Sequence, residues 1–299
     1  MSDSDFGRWD ERDLLDLLSL DEVAPWRFRS RFGQVNEHGR TYGGQLMGQA
    51  MSAAARTAPA GRAATMMQFL FLQGADPDQP IAFDVTALQD GKRFASRNVR
   101  GSQAGGRTIL DAQVTFAVPL PAPSHAASPP NGFAAMDPES LPTLSEMPRA
   151  LADDVERVLA YRLADVGFLD MRARGVADVA LASSDEPRMG FWIKARQTLP
   201  DDPAVHAAVF AHISDWWINY ASCGAFVPAM IAEGRSLYVA SLNHAIWLHR
   251  AFRADDWLYF DCSSPSAGEG RGLTMARVFD GAGRFVASAT QECLIAFAD

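Results

Sequence analysis

One aspartate lies within the most apolar stretch of the chain. Between residues 207 and 220 there is no Lys, Arg or Glu, and at helical spacing Ala208, His212, Asp215 and Asn219 form one narrow polar stripe. A solvated helix face normally carries Lys, Glu or Arg, so this stripe favours the wall of a cleft over a solvated surface, which is the simpler alternative. In a cleft, Asp215 could act as a general base or hold a water molecule.

The second half of the sequence repeats the first. Residues 64–115, shifted by 177 positions, align with residues 241–292 without a gap, and the apolar positions coincide. The identical pairs include Phe83 and Phe260, Gly91 and Gly268, Arg100 and Arg277, and Gly106 and Gly283. Chance similarity is the alternative, but an ungapped match over about 50 residues favours a duplication. Two copies of one unit predict an intramolecular dimer, in which each sheet covers an edge of the other.

The two copies differ at positions that could carry chemistry. Ser241 in the second copy corresponds to Ala64 in the first, and Gln291 corresponds to Val114. A hydroxyl and an amide thus stand where the first copy has apolar side chains, and both groups can hydrogen-bond a carboxylate or a water molecule. Drift on the surface is the alternative explanation. The functional interpretation is one competent site built by the second copy, with the first copy as its scaffold.

Familiar catalytic and cofactor signatures are absent from the sequence. It contains no Walker A loop, no GxGxxG, no HExxH and no GxSxG nucleophile elbow. The three cysteines, Cys223, Cys262 and Cys293, are far apart in sequence and form no cluster with histidines at metal-ligand spacing. We therefore expect no metal ion and no cofactor.

Charge and hydropathy exclude several classes of partner. The formal net charge is −9 and no run of five like charges occurs, so we expect neither nucleic acid nor a membrane surface as a partner. The apolar stretch from 207 to 231 is interrupted by polar residues, so no membrane span is expected. The acidic first residues lack the basic and apolar regions of a secretory signal, which makes a cytoplasmic location the default expectation.

The elements that must position these residues follow an α+β pattern. Apolar spacing predicts helices over 11–23, 42–56 and 204–220, strands at 66–72, 81–88, 94–100, 108–118, 168–174 and 191–196, and a strand meander over 236–297. Eight of the 17 prolines fall within residues 119–148, where regular structure is costly. The predicted organisation is therefore an N-terminal domain at 1–118, a proline-rich linker at 119–160 and a C-terminal domain at 161–299.

Two motifs carry a resemblance to a known family. The first is YGGQLMGQA at residues 42–50, and the second is NHAIWLHR at residues 243–250. Together with DGKRF at 90–94 and ASATQE at 287–292, they make nearly the whole chain outside the linker resemble the type II acyl-CoA thioesterases. This resemblance implies two tandem hotdog domains, each with a central helix wrapped by an antiparallel β-sheet.

The resemblance also implies roles for individual residues. In that family an aspartate on the second central helix, a threonine on the Trp-containing strand and a glutamine on the last strand hold the hydrolytic water. The matching positions here are Asp215, Ser241 and Gln291, and serine keeps the hydroxyl group of threonine. A backbone N–H near Gly44, at the start of the first central helix, would polarise the thioester carbonyl. The implied substrate is acyl-CoA, hydrolysed by direct attack of water, and the implied assembly is a homo-oligomer.

Two other functions stay open at this point. A hotdog hydratase or dehydratase acting on enoyl-CoA or hydroxyacyl-CoA would use an Asp/His pair, and His212 or His244 could stand beside Asp215. A non-catalytic acyl-CoA-binding protein is the other alternative, because Ser241 departs from the family pattern. Release of a free thiol from acyl-CoA distinguishes hydrolysis from both.

Overall fold

The computed structural model describes residues 6–146, 148–161, 165–173 and 187–298. Its α-helices are α1 (Leu14–Leu18), α2 (Gly43–Thr57), α3 (Arg149–Leu159), α4 (Pro203–Ser214), α5 (Tyr220–Cys223) and α6 (Val227–Glu233). Its strands are β1 (Gly7–Arg8), β2 (Leu20–Ala24), β3 (Arg27–Ser30), β4 (Phe32–Gly33), β5 (Ala63–Phe71), β6 (Ala82–Asp90), β7 (Phe94–Gln103), β8 (Arg107–Ala117), β9 (Leu169–Ala173), β10 (Arg188–Ala195), β11 (Ser236–Leu248), β12 (Leu258–Gly268), β13 (Arg271–Asp280) and β14 (Phe285–Ala298).

Twelve of these strands form one antiparallel sheet, in the order β2-β3-β6-β7-β8-β5-β11-β14-β13-β12-β10-β9. The two copies meet at its centre, where β5 pairs with β11 and Gln68 lies opposite Ala245. Gln68 and Ala245 are also equivalent positions of the repeat, so a twofold axis relating the copies passes between them. In addition, β7 and β13 begin and end 177 positions apart. The strand pairing thus supports the predicted duplication.

Helices α2 and α4 pack against each other with their backbones in close contact. A methyl group at Gly48 would lie 2.9 Å from the carbonyl oxygen of Ala208, and a methyl group at Gly44 would overlap the carbonyl oxygen of His212. Gly44 and Gly48 are one helical turn apart in α2, and so are Ala208 and His212 in α4. The contact therefore extends along both helices. Small residues in α2 let the second backbone approach, as the sequence predicts.

Several predicted elements have different bounds in the structure. Helix α1 is shorter than 11–23, because Asp13 caps its first turn and the chain then enters β2, which pairs with β3. Helix α4 ends at Ser214 instead of residue 220, which places Asp215 at its C-terminal cap. The strand predicted over 168–174 is β9; Arg174 lies outside the described residues.

The predicted linker is not uniformly irregular. Residues 118–132 have no helix or strand, but α3 lies within the predicted linker at 119–160. Its buried side chains, Val155, Val158 and Leu159, lie on the helix that contacts β11 and α6, so burial against the second copy compensates for the nearby prolines. The division into domains at 1–118 and 161–299 stays a prediction.

In the part of the chain that the structure describes, no helix has the length and apolar character needed to cross a bilayer. Within the same residues, no three His, Cys, Asp or Glu side chains are grouped so that they could hold a metal ion.

Candidate active site

Asp215, Ser241 and Gln291 come together from three elements of the second copy. Gln291 Nε2 donates to Asp215 Oδ1 at 2.5 Å and to Ser241 Oγ at 2.6 Å. Ser241 Oγ in turn donates to Asp215 Oδ1 at 3.3 Å. The structure therefore brings these three predicted residues into mutual hydrogen-bond contact, where one water molecule could reach all of them.

A β-bulge aims Ser241 into this cluster. The register of β11 against β14 shifts between Ser241 and Asn243, so that Ser241 lies opposite Cys293 and His244 lies opposite Gln291. A bulge adds one residue to one strand and redirects the side chains beside it. Ser241 and His244 can therefore both face the interior, although strict alternation would put side chains three positions apart on opposite faces of the sheet.

The start of α2, from the first copy, meets the Asp215 carboxylate. The backbone N–H of Gly44 donates to Asp215, and a methyl group at Gly43 would lie only 2.6 Å from Asp215 Oδ2. The first N–H groups of a helix have no partner within it and carry a partial positive charge, so this end of α2 stabilises a carboxylate. The Gly44 N–H, which the resemblance assigns to the thioester carbonyl, thus donates to Asp215 in this structure.

Burial decides the protonation of the cluster. It raises the pKa of Asp215 from its ordinary 3.8 to about 7, although the three donors act in the opposite direction; the charge of Glu37 adds a smaller increase. Burial, and then the Asp215 charge, also raises the pKa of Tyr42 well above its usual value. Asp215 is thus half ionised near neutral pH, the range in which a general base is most effective, while the neighbouring phenol stays protonated.

A cavity of about 520 Å³ opens onto Asp215 and Ser241. The aromatic residues of its wall are Tyr42, Phe71, Tyr161, Trp216, Trp217 and Tyr238. Its polar residues include Asn36, His38, Arg40 and Gln73. Apolar and polar groups thus contribute about equally to the wall, which suits a ligand with one apolar and one polar part.

Asn219 belongs to the cluster, although the sequence did not assign it there. Its Nδ2 donates to Ser241 Oγ at 3.2 Å, so it helps to fix the hydroxyl group. The available signal was its place in the polar stripe, four positions after Asp215. Because α4 ends at Ser214, helical spacing does not describe the path from Asp215 to Asn219.

The three cysteines and the two histidines of the hydratase alternative are unsuited to the reaction. All three cysteine thiols are buried, and burial raises the pKa of each, so they are protonated at neutral pH. Burial lowers the pKa of His212 to about 3 and that of His244 to about 4. His212 bonds to Gln34 and His244 to Ser214, so no hydrogen bond among the described residues makes the Asp/His pair of the hydratase alternative.

The first copy keeps the geometry of this region but not its polar groups. β5 has a register shift between Ala64 and Met66, the positions equivalent to the bulge in β11. Ala64 occupies the place of the site serine, and the fully buried Val114 occupies the place of the site glutamine. At these two pairs of equivalent positions, only the side chains of the second copy can hydrogen-bond a ligand.

Known proteins resemble the chain over almost its whole length. Residues 33–117 match the family model of an acyl-CoA thioesterase N-terminal domain, and residues 138–295 match that of an acyl-CoA thioesterase C-terminal domain. The chain is 30% identical to acyl-coenzyme A thioesterase 8 of Mus musculus over 293 residues, which cover 93% of this chain and 87% of that protein.

Solved structures agree with these matches. The acyl-CoA thioesterase II TesB2 from Mycobacterium marinum has a TM-score of 0.74 at 29% identity, over 95% of this chain and 97% of that one. A protein of unknown function with a hot dog fold from Alicyclobacillus acidocaldarius has a TM-score of 0.70 at 15% identity, over 94% and 97% of the two chains. The predicted fold of tandem hotdog domains is confirmed.

Proposed function

Because this chain belongs to the acyl-CoA thioesterase family, we propose that Asp215, Ser241 and Gln291 bind and activate the water that cleaves its substrate. The reaction is hydrolysis of acyl-CoA to a free carboxylic acid and CoA. One observation supports this choice of residues above all: a single amide nitrogen contacts both the carboxylate and the hydroxyl, beside a cavity and the start of α2.

In the proposed reaction, ionised Asp215 takes a proton from a water molecule that Gln291 and Ser241 hold. The water oxygen forms a bond to the thioester carbonyl carbon, and the carbonyl electrons move to its oxygen. Collapse of this tetrahedral anion breaks the C–S bond, and the proton on Asp215 passes to the CoA sulfur. Water is the nucleophile, because the buried thiols are protonated and, among the residues that the structure describes, Asp215 is the only base hydrogen-bonded to Ser241.

The Gly44 N–H is proposed to act on both anions in turn. As Asp215 accepts a proton it loses its charge, while negative charge develops on the thioester oxygen. The start of α2 keeps its partial positive charge throughout and can stabilise the new oxyanion. Gly44 is therefore proposed to contact the substrate, with its N–H donating first to the carboxylate and then to the carbonyl oxygen.

The test is an Asp215→Asn variant assayed for thiol release from acyl-CoA. Loss of a positioned general base lowers kcat by roughly 10²- to 10⁴-fold, while the fold is kept. The matched control is Asp201→Asn, which removes the charge of a fully exposed aspartate and should leave kcat within about 2-fold of wild type. A folded Asp215→Asn protein with near-wild-type kcat would refute the proposed site.

The setting of the enzyme is also a proposal. Three free cysteines support a reducing compartment such as the cytoplasm. A homo-oligomer is supported by exposed apolar side chains on strands of the large sheet, among them Leu70, Trp247 and Met275. A role in lipid metabolism follows from the acyl-CoA substrate, and the net charge of −9 argues against nucleic acid as a partner.

A further inference from the structure

Three buried polar side chains form a row across the second-copy sheet. His244 on β11 lies opposite Gln291 on β14, and Gln291 lies opposite Thr274 on β13. All three residues have no exposed surface. Each contributes one buried atom that has no well-formed hydrogen bond among the described residues: His244 Nδ1, Gln291 Oε1 and Thr274 Oγ1. Unsatisfied polar atoms in a protein interior are costly, so this row requires an explanation.

The row is continuous with a contact on its other side. His244 Nε2 lies 3.2 Å from Ser214 Oγ, and that hydroxyl also lies 3.0 Å from the carbonyl oxygen of Ala211. A hydroxyl has one proton, which it can give either to the ring nitrogen or to the carbonyl oxygen. The direction of this hydrogen bond decides which nitrogen of the neutral imidazole carries the proton. Gln291 is close enough to His244 to raise the pKa of the ring, against a larger decrease from burial.

The two tautomers have opposite consequences for the site. If Ser214 donates to Nε2, the proton of His244 is on Nδ1, where it can donate to Gln291 Oε1 and leave Gln291 Nε2 facing Asp215. If the proton is on Nε2, the lone pair on Nδ1 requires Gln291 to turn its NH₂ group toward the ring. Gln291 Oε1 would then face the Asp215 carboxylate, and two acceptors would oppose each other whenever the base is ionised.

We propose that His244 is a positioning residue, whose Nδ1–H donates to Gln291 Oε1 and thereby orients the Gln291 amide nitrogen toward Asp215 and Ser241. This inference rests on the proposed function of the site, because orientation matters only if the donations from Gln291 to Asp215 and Ser241 serve catalysis. Without the Nδ1–H, the amide can rotate, and the carboxylate loses a donor that stabilises its ionised form. No charged side chain takes part in the row itself, whereas Asp215 also faces the Gly44 N–H and the charge of Glu37.

Two substitutions of His244 separate this role from simple packing. Asn places an amide nitrogen the same number of bonds from Cα as Nδ1, whereas Gln places its amide one bond further out, near the position of Nε2. We expect His244→Gln to lower kcat by about 10- to 100-fold with little change in KM, and His244→Asn to recover most of that loss. In the background of Gln291→Ala, His244→Gln should lower kcat no further, since the amide that it orients is absent.

The pH dependence of kcat provides a readout that packing alone would not move. Loss of the Gln291 donor shifts the acidic limb upward by about one pH unit in His244→Gln, but not in His244→Asn. Each limb is compared with the maximum of the same variant, so the result does not depend on the amount of folded enzyme. An unshifted limb in His244→Gln, as expected if Thr274 alone held the amide, would overturn the proposal.

The tautomer can be observed in the wild-type protein, which avoids the risk that a variant fails to fold. With ¹⁵N-labelled histidine, the six histidines give separate pairs of ring nitrogen shifts, and the His244→Asn spectrum identifies the pair from His244. We expect a neutral ring with its proton on Nδ1; a proton on Nε2 would overturn the proposal. This measurement does not depend on the Asp215→Asn result, so failure of the inference and failure of the proposed function are distinguishable.

Discussion

The buried carboxyl group of Asp215 should make the enzyme less stable as pH rises. In the unfolded chain this group releases its proton near its ordinary pKa of 3.8, whereas in the fold burial raises the pKa to about 7. Between these values the folded state binds more protons than the unfolded state, so the free energy of unfolding decreases with increasing pH. The stabilisation is present below pH 3.8 and is lost progressively up to about pH 7, which is the reverse of the behaviour of a salt-bridged aspartate.

The Asp215→Asn variant isolates this contribution, because asparagine does not titrate. One pKa unit corresponds to 1.36 kcal/mol, so over the roughly two units between about pH 5 and the folded pKa the wild type should lose about 2.5 kcal/mol relative to the variant. All other titrating groups are common to both proteins and cancel in the difference. The loss of one hydrogen-bond acceptor changes the offset between the two proteins but not its slope with pH.

The measurement is urea unfolding at about pH 5 and about pH 8, followed by the fluorescence of the seven tryptophans. The difference in unfolding free energy, variant minus wild type, should become more positive by about 2.5 kcal/mol over this range. For the exposed control Asp201→Asn, the same difference in unfolding free energy should not increase by that amount between the two pH values. A constant difference for Asp215→Asn would mean that the carboxyl group ionises at an ordinary pH within the fold and that Asp215 is not a base poised near neutrality.

Two further results follow from the same site. In wild type, kcat/KM should increase with pH along one acidic limb with a midpoint near about 7, because only the ionised base can accept a proton; a midpoint near about 4 would contradict the effect of burial. The substitution Gly43→Ala places a methyl group 2.6 Å from Asp215 Oδ2, so kcat should fall by about 10-fold or more with little change in stability. Gly48→Ala, whose methyl would lie 2.7 Å from Leu18 and away from the carboxylate, should instead lower stability by about 1 to 3 kcal/mol and leave kcat per folded molecule nearly unchanged. Equal effects of the two alanines on kcat would show that helix packing, and not the carboxylate, explains the first result.

Much of this protein could be predicted from its sequence. The 177-residue repeat, the strand meanders and the small residues of α2 indicated a duplicated α+β unit, and the pairing of Gln68 with Ala245 follows that repeat. The stripe that contains Asp215 and the differences at Ser241 and Gln291 indicated which residue types could carry chemistry. These features are local, because periodicity and composition record whether a position is buried and whether its neighbours form a helix or a strand.

Tertiary structure alone decided how these residues meet. The end of α4 at Ser214, the bulge beside Ser241 and the approach of Gly43 and Gly44 to the carboxylate depend on contacts between segments that are far apart in sequence. No periodicity reports such contacts, because the register of a sheet and the distance between packed helices arise from the fit of whole elements. The same enclosure removes water from Asp215 and raises its pKa, so the sequence supplied an acid, while the fold decided where and at what pH it can act as a base.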